Sequence, residues 1–410
     1  MPACWQERFK ARLPQADTFH PFTDFMAKSP LRPRFLHLHS TFDAGGKELR
    51  CVRLINAFGS AADHAIVSAE PAAMGAQSRL SRVANCRFPE FPSLKGKPTP
   101  GRLKKIAAAM RGYDLILTYN WGAMDAVMAH TLFADVYQLP PLVHHEDGFN
   151  ADEAVKLKTS RNIYRRIALG RSAALVVPSR KLEDIALNIW QQPRSRVQRI
   201  ANGIPTQPFG RKPKADALPS LVKRNQEYWV GTIAGLRAVK NLPALVRAMD
   251  GLGDHWHLVI CGEGPEKAAI IAEAERLNMD DRVHLPGHIA EPEKVIGLFD
   301  IFALSSQSEQ FPISVVEAMA AGLPVVAPDV GDIADMVALE NRDCITPPGD
   351  EDALTEMLQR LAADPQSRGA IGKANREKAR TEYDEKQMIA RYRSLYWGLM
   401  GRNALRSEHK

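Results

Sequence analysis

QSEQFPISVVEAMAAGLPVVAPDVG, residues 307–331, follows the apolar run IFALSS and carries the clearest local signals in the chain. Pro312 suits a first helical turn, where its missing N–H costs nothing. Gly322 stands just past the last apolar-periodic residue and Pro324 two beyond, and together they stop a helix. The spacing predicts a helix over about Pro312–Ala321, between buried strands at Ile301–Leu304 and Pro324–Ala327. Strand, helix and strand at these lengths make a βαβ unit, and repeating that unit gives a parallel sheet covered on both faces.

The same alternation runs outward from this stretch. Trp229–Ala234, His257–Cys261 and Val283–Leu285 read as strands, with helical spacing at Leu242–Asp250, Pro265–Leu277, Pro292–Phe299, Leu354–Leu361 and Met388–Leu399. The first half offers strands at Phe35–Ser40, His64–Glu70, Tyr113–Asn120, Pro141–Glu146, Ala174–Ser179 and Val197–Ala201. Between them, amphipathic spacing at Leu49, Leu54, Ile55 and Phe58, or at Ile163, Ile167 and Leu169, marks helices. Residues 201–219, with Pro205, Pro208, Pro213 and Pro219, read as a linker. A chain of 410 residues exceeds one ordinary core. The expected fold class is α/β: two doubly wound, Rossmann-like domains across a cleft, residues 1–202 and 203–384, with 385–410 as a terminal helix.

Composition narrows the function classes. At 45% hydrophobic and 25% charged, the chain fits neither a disordered nor a collagenous class. No uncharged apolar run approaches the roughly 18 residues of a membrane span. The opening MPACWQERFKARLPQAD brings charge too early for a signal peptide. Cys4, Cys51, Cys86, Cys261 and Cys344 are scattered, which argues for reduced thiols in a cytoplasmic protein and against a zinc site. Residues 1–200 carry 29 Lys/Arg against 17 Asp/Glu, and residues 201–410 carry 25 against 30. A basic first half suits anionic lipid headgroups at the inner face of a membrane, a phosphate-bearing acceptor, or nucleic acid; it is equally a solvated surface. No nucleic-acid motif is present, so no such partner is expected. An NAD-dependent oxidoreductase needs a GxGxxG after its first strand and an acidic residue about 20 positions on, and both are missing.

Ligands of doubly wound sheets sit beyond the C-terminal strand ends, where helix N-termini point free amides at them. The amides near Ile313 and Ser314 suit a diphosphate. Glu309, in the loop before the helix, and Glu317, one to two turns in, suit hydroxyls, because a carboxylate accepts from two donors at once. The blander reading of Glu317 is a solvated helix face.

These residues also resemble a known pattern. Glu309, Phe311, Pro312, Glu317, Ala318, Met319, Ala320, Gly322, Pro324, Val325 and Val326 match the signature of glycosyltransferase family 4, the retaining GT-B enzymes of bacterial polysaccharide type. The resemblance implies Glu309 on the donor sugar, Glu317 on the ribose, and the Phe311–Ser314 backbone, Pro312 and Ile313 included, on the diphosphate of a UDP- or GDP-sugar. Gln310 stands where the family has Gly. GTIAGLRAVKN resembles the family's basic motif around Lys240, but the arginine expected five residues earlier is Gly235, and Arg237 is the candidate replacement. Gly262, Glu263 and Gly264 match a nucleotide-pocket loop, and His288 a loop near the base. Gly45 and Gly46, with Glu48 beyond, match a loop near the donor phosphate. His144, His145 and Asp147 match the strand end closest to the reacting carbon; adjacent strand residues face opposite ways, so both histidines do not enter the cleft together. Asn202 and Gly203 match the hinge. The resemblance implies a glycan or lipid-linked acceptor, no metal and no required cofactor. Its rivals are a sugar phosphorylase or a nucleotide-sugar epimerase of the same fold.

Overall fold

The computed structural model describes residues 32–149, 153 and 157–401. The opening stretch with Cys4, Asn150–Asp152 of the His144–Asp147 loop and residues 402–410 of the terminal segment lie outside the described residues.

The first sheet has seven parallel strands in the order β3-β2-β1-β4-β5-β6-β7. They are β1 (Arg34–His39), β2 (Asp63–Ser68), β3 (Asn85–Arg87), β4 (Leu115–Tyr119), β5 (Leu142–His145), β6 (Ala174–Val177) and β7 (Val197–Arg199). Its helices are α1 (Gly46–Phe58), α2 (Pro100–Ala109), α3 (Met124–Tyr137), α4 (Thr159–Ala168) and the short α5 (Arg180–Asp184). After a single turn, α6 (Thr206–Phe209), the second sheet runs β10-β9-β8-β11-β12-β13, also parallel. Its strands are β8 (Tyr228–Ile233), β9 (Trp256–Cys261), β10 (Val283–Gly287), β11 (Ile301–Ala303), β12 (Val325–Pro328) and β13 (Ile345–Thr346). Around it lie α7 (Leu242–Ala248), α8 (Lys267–Arg276), α9 (Ile313–Ala321), α10 (Ile333–Met336), α11 (Glu351–Ala363) and α12 (Pro365–Glu382). The last helix, α13 (Glu385–Leu399), packs Tyr392 and Tyr396 into the core of the first sheet.

Each sheet has an apolar core on both faces, as alternation along buried parallel strands demands. In β1, Leu36 and Leu38 join the core under α2 and α3, while Phe35 joins the opposite core with α1 and α13. Two crossings connect the halves side by side: Ile204 bridges Asp384 in parallel, with Ile204 N–H on Tyr383 O and Glu385 N–H on Ile204 O. Both orders reverse direction once, between β1 and β4 and between β8 and β11, which opens a crevice at those strand ends. No helix among the described residues is long and apolar enough to cross a membrane.

Several expectations change here. Pro312 caps α9 instead of opening it. Pro292–Phe299 forms two 3₁₀ turns, Pro292–Lys294 and Ile296–Leu298, in place of a helix. The expected linker is anchored, with Phe209 and Leu218 buried in the second core. Strands β3 and β13 and the 18-residue α12 are additional. The apolar stripe of α4 does not face the sheet: Ile163 and Ile167 are 55% and 54% exposed, and Arg165 is buried in their stead.

Candidate active site

The loops after β8 and β11 lie side by side because their strands are neighbours at the reversal point. Lys240 Nζ pairs with Glu309 Oε1, and Ser306 Oγ donates to the same oxygen at 2.8 Å. Ser305 Oγ donates to Lys240 O at 3.0 Å, and Gln307 N–H to Val239 O at 2.9 Å, so the two loops are one unit. Arg237, exposed, lies over Gly235: a Cβ placed there would meet its Nε at 3.5 Å. A guanidinium thus occupies the region where Gly235 supplies no side chain.

Helix α9 begins beside this pair. No side chain caps it, so the first-turn amides at Ile313 and Ser314 carry the positive end of the helix dipole. Phe311 packs edge-on to Tyr383 at 5.7 Å and fixes the entry of the loop. Glu317 is partly buried and has no hydrogen-bond partner among the described residues. Burial pushes its carboxyl up to about 7, opposed by the charge of Arg53 from α1. The glycines of CGEGP serve close packing: a Cβ on Gly262 would lie 1.8 Å from Ala234 O, and one on Gly264 2.3 Å from Leu236 O. They let this loop press on the Lys240 loop. Glu263 and His288 are solvent-facing at its rim.

The first sheet closes the other side. Gly46 faces α9, its Cβ position 3.7 Å from Ile313 Cδ1, and Gly45 packs on the Glu48 carboxylate. Gly148 sits against Gln310, with a Cβ position 3.1 Å from Gln310 Cγ and a φ of +147° that favours glycine. Asp332, after β12, holds both sides: its amide donates to Gln310 O at 3.2 Å, and its carboxylate caps α5 through the amides of Arg180 and Lys181.

Two family models match the chain: Glycosyltransferase Family 4 over residues 44–208 and Glycosyl transferases group 1 over residues 214–378. The chain belongs to the group 1 glycosyltransferases of the family 4 type. Among curated relatives, N-acetyl-alpha-D-glucosaminyl L-malate synthase of Bacillus anthracis is 24% identical over 170 residues, 41% of this chain and 45% of that protein. A Campylobacter jejuni enzyme, N-acetylgalactosamine-N,N'-diacetylbacillosaminyl-diphospho-undecaprenol 4-alpha-N-acetylgalactosaminyltransferase, is 27% identical over 222 residues, 53% of this chain and 58% of that protein. The chain spans about half the length of the curated relatives it matches. Alr3699/HepE of Anabaena, solved in complex with UDP, aligns with a TM-score of 0.74 at 19% identity, over 89% of this chain and 100% of that one. At such identity the likeness concerns the fold, which is GT-B.

In this glycosyltransferase the ionisable cluster at the end of β5 is distributed over three environments. His145 Nδ1–H donates to Thr118 O at 3.1 Å and Nε2 accepts from Tyr396 Oη at 2.8 Å, and burial holds the ring neutral. His144 points to the opposite face, on Thr118 Oγ1 at 2.8 Å, with Nε2 3.8 Å from Glu146. Both rings are buried, 0% and 1% exposed, and reach no solvent. Asp147 lies nearest the crevice, gripped by both terminal nitrogens of Arg50. Arg50 also donates to Asn202 Oδ1 at 3.0 Å and stacks over Tyr392, tying α1 to the hinge and to α13. Asn120 completes the clamp, accepting the Asp147 amide at 2.8 Å from a left-handed backbone at φ 54°. Sequence reasoning missed Arg50 and Asn120. Positive φ on a residue other than glycine marks such sites only once coordinates exist.

Proposed function

We propose that this glycosyltransferase moves a sugar, with retention of anomeric configuration, from a UDP- or GDP-sugar to a glycan or lipid-linked saccharide acceptor in surface-polysaccharide assembly. The observation that carries the reading is the Lys240–Glu309 pair at the uncapped N-terminus of α9. A cation and helix amides suit a diphosphate, and a carboxylate beside them suits sugar hydroxyls. Glu317, further along the same helix and short of partners, suits the ribose. The UDP of the Anabaena structure and the undecaprenol-linked acceptor in the Campylobacter enzyme's name support the substrate classes.

The proposed course is a front-face substitution. The acceptor hydroxyl attacks the anomeric carbon from the side the diphosphate leaves; the carbon–oxygen bond to phosphate breaks, and a phosphate oxygen takes the hydroxyl proton. Lys240, Arg237 and the α9 amides meet the charge that develops on the leaving group. No cofactor is assigned. Closure of the Gly45–Gly46 loop over α9 keeps water out. The protein is expected in the cytoplasm, peripheral at the inner face of the plasma membrane.

A panel of nucleotide sugars, with and without saccharide acceptors, tests this by nucleotide release and by NMR of the product's anomeric centre. Acceptor-dependent release with retention is the expected result. Phosphate-dependent sugar-1-phosphate formation would assign a phosphorylase, and acceptor-free interconversion of nucleotide sugars an epimerase.

A further inference from the structure

Helix α4 is inside out. Its Arg165 is fully buried, paired with Glu153 through both terminal nitrogens at 3.2 Å and ringed by Trp121, Phe149 and Trp190 at 4.8–5.3 Å. Its aliphatic pair, Ile163 and Ile167, faces outward with more than half of each side chain exposed. The neighbouring α3 repeats the arrangement, with Leu132 54% and Val136 71% exposed at the same i, i+4 spacing. Four of the ten exposed large hydrophobics among the described residues therefore sit on two adjacent helices.

These residues form one surface. The helices run parallel, joined by Thr131 Oγ1 to Ala168 O and by Tyr164 Oη to Asp125 Oδ1. Leu132 is one step past the α3 residue that meets α4, and Ile163 and Ile167 are one step before the α4 residues that meet α3. With about 100° per residue and the same hand, both pairs emerge on the same outer side. The helices that share this core of the first sheet also carry exposed cations: Lys104 and Lys105 on α2, Arg111 just beyond it and Arg166 on α4. Neither α2 nor α4 contains an acidic residue. The two acids of α3 are spent, Asp125 on Arg102 and Asp135 on Arg171.

Exposed aliphatic side chains on a layer of helices that also bears unopposed cations match a surface that is apolar within and anionic at its headgroups. We infer that the outer face of α3 and α4 docks this protein on an anionic lipid bilayer. The inference deepens the functional reading by naming the partner of the basic first domain, and it explains a lipid-linked acceptor: toward their N-terminal ends the same helices border a cavity of about 480 Å³ lined by Trp121, Tyr164, Arg161, Lys95 and Pro98. An acceptor anchored in the bilayer would reach that cavity directly.

Co-sedimentation of the full chain with vesicles of equimolar phosphatidylglycerol and phosphatidylcholine, against phosphatidylcholine alone, tests the docking without using sugar transfer. Binding should favour the anionic vesicles and fall steeply with salt. Ile163→Glu/Ile167→Glu should lower the partition coefficient at least about tenfold, and Lys104→Gln/Lys105→Gln about fivefold per charge removed. Both sets are exposed, so the thermal transition should stay in place. Vesicle binding untouched by either double variant overturns the inference. So does a wild-type dimer that ignores vesicles and becomes monomeric in Ile163→Glu/Ile167→Glu, which would make the face an interface between copies. Transfer to a water-soluble acceptor should proceed normally in both variants, which separates this failure from failure of the transferase reading.

Discussion

Lys240→Ala deletes the cation that pairs with Glu309 inside the crevice. The two side chains are only 14% and 11% exposed, so bulk water screens them weakly. Two unit charges about 4 Å apart interact by about 4 kcal/mol at an effective dielectric of about 20. Arg237 and the α9 amides share the leaving diphosphate, so the net loss should resemble removal of one preorganised donor, about 2.7–4 kcal/mol. That corresponds to a kcat lower by about 10²–10³, with a smaller change in donor KM. Lys240→Arg should recover part of the rate, because charge returns without the same reach. Initial rates of nucleotide release coupled to product formation, with kcat and KM separated, give the readout. A folded Lys240→Ala protein with kcat within about threefold of wild type would refute the reasoning.

Other sites give independent checks. Glu317 is pushed up to about 7, above its unfolded value, so its neutral form stabilises the fold at low pH and that contribution is lost as pH rises through about 7. The unliganded wild type should therefore lose up to about 3 kcal/mol between pH 5 and 8, and Glu317→Gln should flatten that part of the thermal profile. Gly262→Ala puts a methyl into Ala234 O and should lower the transition by about 5 °C or more, while Gly170→Ala, with nothing within 4 Å of the added carbon, serves as a neutral control. Arg50→Ala strands Asp147 in a site where Arg50 is 3% and Asp147 13% exposed, and should cost about 3–5 kcal/mol in denaturant unfolding. Arg50→Lys should restore only part of this, since the two-pronged grip is lost.

What was legible in the sequence was local. The Pro312, Gly322 and Pro324 signals placed α9 within a residue, because capping and helix arrest act over a few positions. The strands of both sheets were readable for the same reason, except β3 and β13, short edge strands whose sequences, NCR and IT, carry no apolar run. Helix α12 escaped because its surface is mostly polar; it is held by the buried Asn375, which bonds Leu323 O and Asn341 Oδ1. Periodicity revealed the stripe of α4 but not its direction. Only tertiary partners, three aromatic rings and Glu153, determine that Arg165 turns inward. Within the candidate site, motif residues were visible and their restraints were not. Arg50 and Asn120 are ordinary residues in a helix and after a strand until Asp147, 97 and 27 positions away, comes within reach.

The paired crossings at Ile204 and Asp384 have a mechanical consequence. A single tether would leave one domain free to swing and twist about a point. Two parallel strands of chain, bonded to each other and pinned where a Cβ on Gly203 would sit 2.9 Å from Glu385 Cα, act as a two-knuckle door hinge. Rotation about the line through both knuckles stays easy, while torsion across it is resisted. Because α13 lies beyond the second knuckle yet supplies Tyr392 and Tyr396 to the first core, cutting the chain after Tyr383 would remove part of the door frame along with the hinge. The first domain therefore cannot be excised as one continuous stretch of sequence, because its last helix follows the whole of the second.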